Sequence, residues 1–370
     1  MVWATNPSNL FIISSNGGNM RIIKCLTAII MFGIVFFTLQ RLLVPKYASG
    51  AMEGGLIREY YRSNFDHDII FIGDCELYAN FSPITLWEEF GITSHHRGGP
   101  QQLIWQSYYL FEETLRFEIP RVVVFSALSM QYNEPQDEAY NRLNLDGMRW
   151  STSKFRSINA SMTEEEGWLS YIFPFFRFKD RWRELSREDI QFFLRNPRVS
   201  INGFMIRSDV QPRGWTPLPE LRRTYYFGDT AFYYLGRMAQ LAAEHNIHFV
   251  LVKAPVAYPY WPRQWNEQMV EYAEQNNLLF INLIDYIEEI GLNFATHTFN
   301  GGLHLNVFGA EKAARFLGGI LQEHFDLPDR RNEPETALLW DEKSALYHRI
   351  IARQLEEIAN YGRIQNFLIN

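Results

Sequence analysis

The stretch Ile69-Ile-Phe-Ile-Gly-Asp-Cys-Glu-Leu-Tyr-Ala-Asn-Phe-Ser-Pro83 constrains this chain more than any other. Four apolar residues end at Gly73-Asp74-Cys75, and beyond Glu76 the apolar spacing no longer has period two. That pattern is a buried strand stopping at a sharp turn. Such a turn presents its side chain above the carboxyl edge of a sheet, near a helix start whose N–H groups favour an anion. Cys75 there is either a nucleophile or, as lone cysteines often are, a small buried hydrophobe.

Elsewhere the chain alternates strand-like and helix-like segments, the pattern of an α/β body with a parallel sheet. Ile92-Thr-Ser-His-His96 is a weak second strand, followed by Arg97-Gly98-Gly99-Pro100. Ile104, Tyr108, Phe111 and Leu115 share a helical face, and Val122-Val-Val-Phe-Ser126 suits a central parallel strand. Ala231, Leu235, Met238 and Ala242 mark another helix. Two further strands, Phe249 to Pro255 and Phe280 to Leu283, precede a helix carrying Ala313, Leu317, Ile320 and Leu321. Five strands in βα order result. Lys253 and Asp285 end strands on the edge that carries Cys75, where they are caps or site residues. His304, on the glycine-rich loop before the final helix, reaches the same edge and is a candidate general base.

The N-terminus adds a membrane question. Residues 1–21 read as a disordered leader, and 22–44 as a span whose charge-free part runs from Cys25 to Leu39, with Lys24 and Arg41 able to snorkel. No small-x-small cleavage site directly follows, so the expectation is an uncleaved single-pass plasma-membrane anchor with the body outside the cytoplasm. Arg21 and Lys24 against Arg41 and Lys46 leave the positive-inside count nearly balanced. A polar stalk, 45–66, leads into the body at 67–325. A net charge of −7 argues against nucleic acid. With only Cys25 and Cys75 present, a disulfide framework is excluded. No P-loop, metal-ligand cluster or cofactor motif occurs, so neither metal nor cofactor is expected.

Residues 127–230 are too long for a simple connection and are read as an inserted subdomain. Thr163 with Glu166, and Ser186 with Asp189, match capping boxes. Aromatics crowd the stretch from Trp168 to Phe193 and supply either a subdomain core or an apolar patch facing the membrane. The tail, 326–370, contains a helix from Leu346 to Ile358 expected on the periphery of the body.

The elbow Gly73-Asp74-Cys75, the turn Arg97-Gly98-Gly99 and the block Gly302-Leu-His-Leu-Asn306 with Gly309-Ala310 resemble the first, second and last blocks of the SGNH (GDSL-type) hydrolases. The anchor and Asn80-Phe-Ser-Pro83 are similar to the membrane-anchored branch akin to the D-alanine transfer protein of teichoic acid modification. The resemblance implies a three-layer α/β/α, flavodoxin-like fold and ester or acyl-transfer chemistry on a cell-surface polysaccharide or small ester. The apolar patch of the 168–193 stretch, if that is what the aromatics form, is expected to face the membrane or an integral-membrane acyl donor. Cys75 stands where that family has serine. Where it has aspartate three residues before the histidine stands Gly301, with Asn300 one place earlier. The implied catalytic set is Cys75, His304 and Asn300. Asp74, Gly98, Gly99, Asn133 and Lys253 are the implied oxyanion or substrate-binding residues. A thiolate at the turn is expected to alkylate faster than a free thiol, against the opposing charges of Asp74 and Glu76. The competing reading is a catalytically silent protein of the same fold that binds a polymer or a membrane partner.

Overall fold

A computed structural model describes residues 16–44, 55–135, 138–195, 197–212, 226–257 and 261–369. The chain divides into two compact units: residues 1–45 with 168–195, and residues 46–167 with 196–370.

The larger unit is built on five parallel strands, β1 (Ile69–Gly73), β2 (Ser94–Gly98), β3 (Val122–Ser126), β4 (His248–Lys253) and β5 (Leu279–Asn282), in the order β2-β1-β3-β4-β5. This is the flavodoxin-like doubly wound order, whose switch point lies between β1 and β3. The pleat sends alternate side chains to opposite faces. Ile69, Phe71, Val122, Val124, Val250 and Val252 therefore meet Phe81, Trp87, Ala310, Leu317 and Tyr347 on one side. Ile70, Ile72, Val123, Phe125, Phe249 and Leu251 meet Ile104, Phe111, Leu235, Met238 and Trp265 on the other. Helices thus cover both faces, giving the three-layer α/β/α arrangement expected.

The β2 strand runs two residues later than the sequence indicates and buries His95, His96 and Arg97. Two of the three have a visible reason to be tolerated there. The ring Nε2 of His96 bonds the carbonyl of Phe81, and Arg97 pairs with Glu113 at 2.7 Å with its guanidinium over the Tyr60 ring. Arg97 is therefore a structural residue held below the sheet edge.

The last helix, Pro334–Tyr361, is longer than its apolar stripe suggests and contributes to the core. Trp340 stacks on Trp87, Tyr347 is fully buried beside Ser82, and Gln354 bonds the backbone at Ile206 and Ser208. The second half of the stalk likewise enters the body, with Leu56, Ile57 and Tyr60 buried.

In the smaller unit the helix Asn16–Leu43 has one stretch, Met20–Leu43, long and apolar enough to cross a membrane, with exposed Ile, Leu and Phe side chains along it. The 168–195 segment packs on it. Phe173 and Phe175 each place their rings 5.7 Å from that of Phe36, Arg41 lies over the Phe193 ring, and Arg181 donates to the Leu43 carbonyl. Ser186 and Asp189 exchange the reciprocal bonds of a capping box at the start of Arg187–Arg195. Leu169, Ile172, Phe176, Trp182, Ile190 and Leu194 remain exposed. In the larger unit Thr163 and Glu166 close a turn in which Glu166 also faces Arg142, so this second pair starts no helix.

Candidate active site

The elbow is built by close approach. Gly73 adopts a positive φ of 149°, and a Cβ there would meet that of Ser126 at 2.6 Å. A Cβ on Gly98, paired with Gly73 in the sheet register, would lie 2.2 Å from the Gly73 carbonyl oxygen. Glycine at both positions lets β1 and β2 end side by side with the Asp74 turn above them.

Asp74 is the N-cap of the Cys75–Asn80 helix. Its Oδ1 accepts from the Glu76 N–H and the Ser126 hydroxyl, and its N–H donates to Ser129. It is fully buried and its Oδ2 has no partner, so burial and then Glu76 push its carboxyl up to about 7. Glu76 forms a buried 2.6 Å ion pair with Lys253, which ends β4. The loop that carries His304 is fixed to the same helix, because the Leu305 N–H donates to Asn80 Oδ1 at 2.8 Å. Phe299 completes the connection: it packs in one apolar cluster with Cys75, Tyr78 and Ala79 and stacks on the His304 ring at 5.8 Å. Cys75, Asn300, His304 and Lys253 therefore gather at one carboxyl edge.

Their electrostatics differ from those of an activated thiolate. Burial, then Asp74 and Glu76, push the Cys75 thiol well above its ordinary range, although N–H groups of Cys75 and Gln101 pull the other way. That direction runs against the expected rapidly alkylated thiolate, through burial first and the two carboxylates second. Burial, then the Lys253 charge, lowers His304 to about 4.

Asn300 decides the proton's place on His304. The backbone N–H of His304 donates to Asn300 Oδ1 at 2.7 Å, which leaves Asn300 Nδ2 facing His304 Nδ1 at 2.6 Å. An amide nitrogen can only donate, so Nδ1 accepts and the ring proton resides on Nε2. This is the reverse of cysteine–histidine–asparagine sites, in which the amide oxygen receives an imidazole N–H. Nε2 is buried, and among the described residues this donor has no acceptor.

The remaining expected residues divide. Gly98 stands beside the elbow, whereas a Cβ at Gly99 would meet Asn144 Oδ1 at 2.1 Å. Asn144 is fully buried, donates to Gln106 Oε1 and keeps Oδ1 unpartnered. Asn133 commits one amide N–H to the Met130 carbonyl and lies against Gly228. Asp285 accepts from the side-chain amide of Asn282 at an exposed turn whose cap is Asn282 itself. Sequence reasoning missed Gln101 and Asn144. Gln101 has a positive φ of 49°, the only signal for which is the Gly-Gly-Pro turn before it.

No family model and no curated protein matches this chain. Solved structures with a similar course include a GDSL-like lipase from Bacteroides thetaiotaomicron, 13% identical, covering 70% of this chain and 88% of its own with a TM-score of 0.33. A putative acylhydrolase from Bacteroides fragilis is 12% identical over 78% and 95% of the two chains, TM-score 0.33. A putative lipolytic protein of the G-D-S-L family from Desulfitobacterium hafniense is 12% identical over 69% and 100%, TM-score 0.33. At such scores the strand order and the three layers, not these likenesses, carry the assignment of fold.

Proposed function

We propose that this protein is a membrane-anchored enzyme of the ester-hydrolase or acyl-transfer type, its body outside the cytoplasm, with Cys75 taking the acyl group. The observation that supports it is the attachment of the His304 loop to the Cys75 helix, through Asn80 and Phe299, at the carboxyl edge of β1. In the forward step the Cys75 Sγ bonds the ester carbonyl carbon, the carbon–oxygen bond breaks, and the thiol proton leaves with the alcohol. In the second step water or a glycan hydroxyl takes the acyl group, the Sγ–carbon bond breaks, and a proton returns to sulfur. The N–H groups of Cys75 and Gln101, which face the sulfur, are the candidate donors to the oxyanion. Glu76 and Lys253 hold the elbow from behind.

The smaller unit supports the membrane part of this reading. Its exposed Leu169, Ile172, Phe176, Trp182, Ile190 and Leu194 adjoin the apolar helix, and the 168–195 segment has six basic against four acidic residues in a chain of net charge −7. Aromatic and cationic side chains together suit the bilayer interface or an integral-membrane acyl donor.

A second reading is favoured by one observation, the Asn300 amide donating to His304 Nδ1. A ring in that state cannot accept the thiol proton at Nε2, so the same geometry suits a silent binder of polymer or partner. Incubation with para-nitrophenyl acetate decides between them. Acetylation of Cys75, found by mass spectrometry and absent in Cys75→Ala, supports the enzyme. Failure of both the wild type and Asn300→Asp to acetylate leaves the binder.

A further inference from the structure

A cavity opens at the end of the strands opposite Cys75. Its volume is about 450 Å³, and it lies among the turn that precedes β1, the second residue of β2 and the last helix. Glu59, Arg62, His95, Arg198, Lys343 and Arg349 supply its chemistry, with Glu342 at its rim. Since β1 and β2 run parallel and Cys75 follows the carboxyl end of β1, this cavity belongs to the other end of the strands.

Four cations face two carboxylates here. Arg62 bonds the buried Glu59, which Arg198 also faces, so that carboxylate is matched within the protein. Among the described residues, the Lys343 ammonium has no carboxylate or hydrogen-bond acceptor, only the Trp340 ring at 4.5 Å, and Arg349 has no ion pair. Burial first, and then the neighbouring Arg198, push Lys343 down to about 8, the state of a buried ammonium without a counter-charge. His95 adds a second, different demand. It is fully buried and its Nδ1 faces the carbonyl of His96 at 2.9 Å. A carbonyl only accepts, so Nδ1 carries the proton and Nε2 is a bare acceptor, which has no partner among the described residues.

We propose that this cavity binds a small phosphate monoester whose organic part carries a hydroxyl: the dianion meets Lys343, Arg198 and Arg349, and the hydroxyl donates to His95 Nε2. Two surplus positive charges match a group that carries close to two negative charges at neutral pH. The volume lies within the range for small-molecule sites and exceeds what inorganic phosphate fills. A phosphate monoester beside a free hydroxyl occurs on soluble esters and on lysophosphatidic acid, and the experiment separates them.

The full chain in detergent micelles is treated with acetic anhydride, and acetylation of every lysine is followed by mass spectrometry. Millimolar hydroxyethyl phosphate should protect Lys343 selectively by about tenfold, ethyl phosphate should protect it less, and diethyl phosphate should have no effect. Lys343→Met should abolish the rise in melting temperature that hydroxyethyl phosphate causes. Micelles doped with oleoyl lysophosphatidic acid, against phosphatidylglycerol at equal charge, identify a lipid source if they protect Lys343 at a lower concentration than hydroxyethyl phosphate does. Equal protection by sodium sulfate, or protection by neither phosphate monoester, overturns the proposal. The labelling arm uses the wild type, so the result stands whether or not the variant folds.

Discussion

Replacing Asn300 by aspartate should convert His304 into a base. In the wild type Asn300 Oδ1 is held by the His304 N–H, so the group opposite Nδ1 is a donor. In Asn300→Asp one carboxylate oxygen keeps that backbone bond while the other, at the same 2.6 Å reach, accepts from Nδ1. The ring proton moves to Nδ1 and Nε2 becomes free to receive the Cys75 proton. A carboxylate so placed raises an imidazole pKa by roughly 1–3 units. His304 starts at about 4, so its titration moves toward neutrality. General-base assistance contributes about 10²–10⁴ in rate, and the burst of para-nitrophenol from para-nitrophenyl acetate should rise within that range. The assay pairs the burst with the His304 ring titration by NMR, and Cys75→Ala in the Asn300→Asp background must remove the burst. A His304 pKa that rises without faster acetylation of Cys75 would refute the tautomer argument, because the base would then be present and useless. An unmoved pKa would refute the placement of the carboxylate.

Other perturbations have directions fixed by the fold. Trp340→Ala removes the stack on Trp87 and should cost about 3–5 kcal/mol in urea unfolding; a loss under 1 kcal/mol, far below that range, would make the last helix an appendage after all. Glu113→Gln leaves the fully buried Arg97 charge uncompensated and should cost roughly 3–5 kcal/mol, whereas a change near zero would mean that Tyr60 and Tyr61 suffice for it. Asp74 has its folded pKa raised to about 7 against 3.8, so its contribution to stability is full below the lower value and is lost as pH rises through 7. The stability of the wild type relative to Asp74→Asn should therefore grow as pH falls from 7 toward 4, by up to about 1.4 kcal/mol per unit, and a flat difference would count against it. Serine in place of Phe176, Trp182 and Leu194 together should reduce co-sedimentation of the full chain with anionic vesicles while leaving the alkylation rate of Cys75 unchanged.

Much of this architecture could be read in the residues because burial on both faces leaves a continuous apolar record. Ile69 to Ile72 and Val122 to Phe125 are such records. Strand β2 is not, since His95, His96 and Arg97 lie inside it and only partners distant in the chain, such as Phe81 and Glu113, make that tolerable. The last helix was legible as a stripe but not as core, because the partner of Trp340 is Trp87, more than two hundred residues away. At the site, Cys75, Asn300 and His304 are visible as residue types in a pattern. The direction in which the Asn300 amide points is not, since one backbone bond of 2.7 Å sets it. Likewise nothing local distinguishes the turn at Thr163 from the helix cap at Ser186. The same short pair of residues serves both, and the side chains packed around each pair decide between turn and cap.

The 168–195 segment leaves the body's stretch of sequence and returns to it, so the peptide chain passes between the two units at three places, near residues 45, 167 and 195. Its rings and Arg181 grip the apolar helix at Phe36 and Leu43. A single protease cut between residues 45 and 54 would therefore sever the backbone without freeing the body from the apolar helix, for the 168–195 segment would still be clasped to it by noncovalent contacts. Proteolytic release of the body from that helix takes three cuts, one at each crossing, and the helix acts as a bound subunit that happens to share a gene with what it holds.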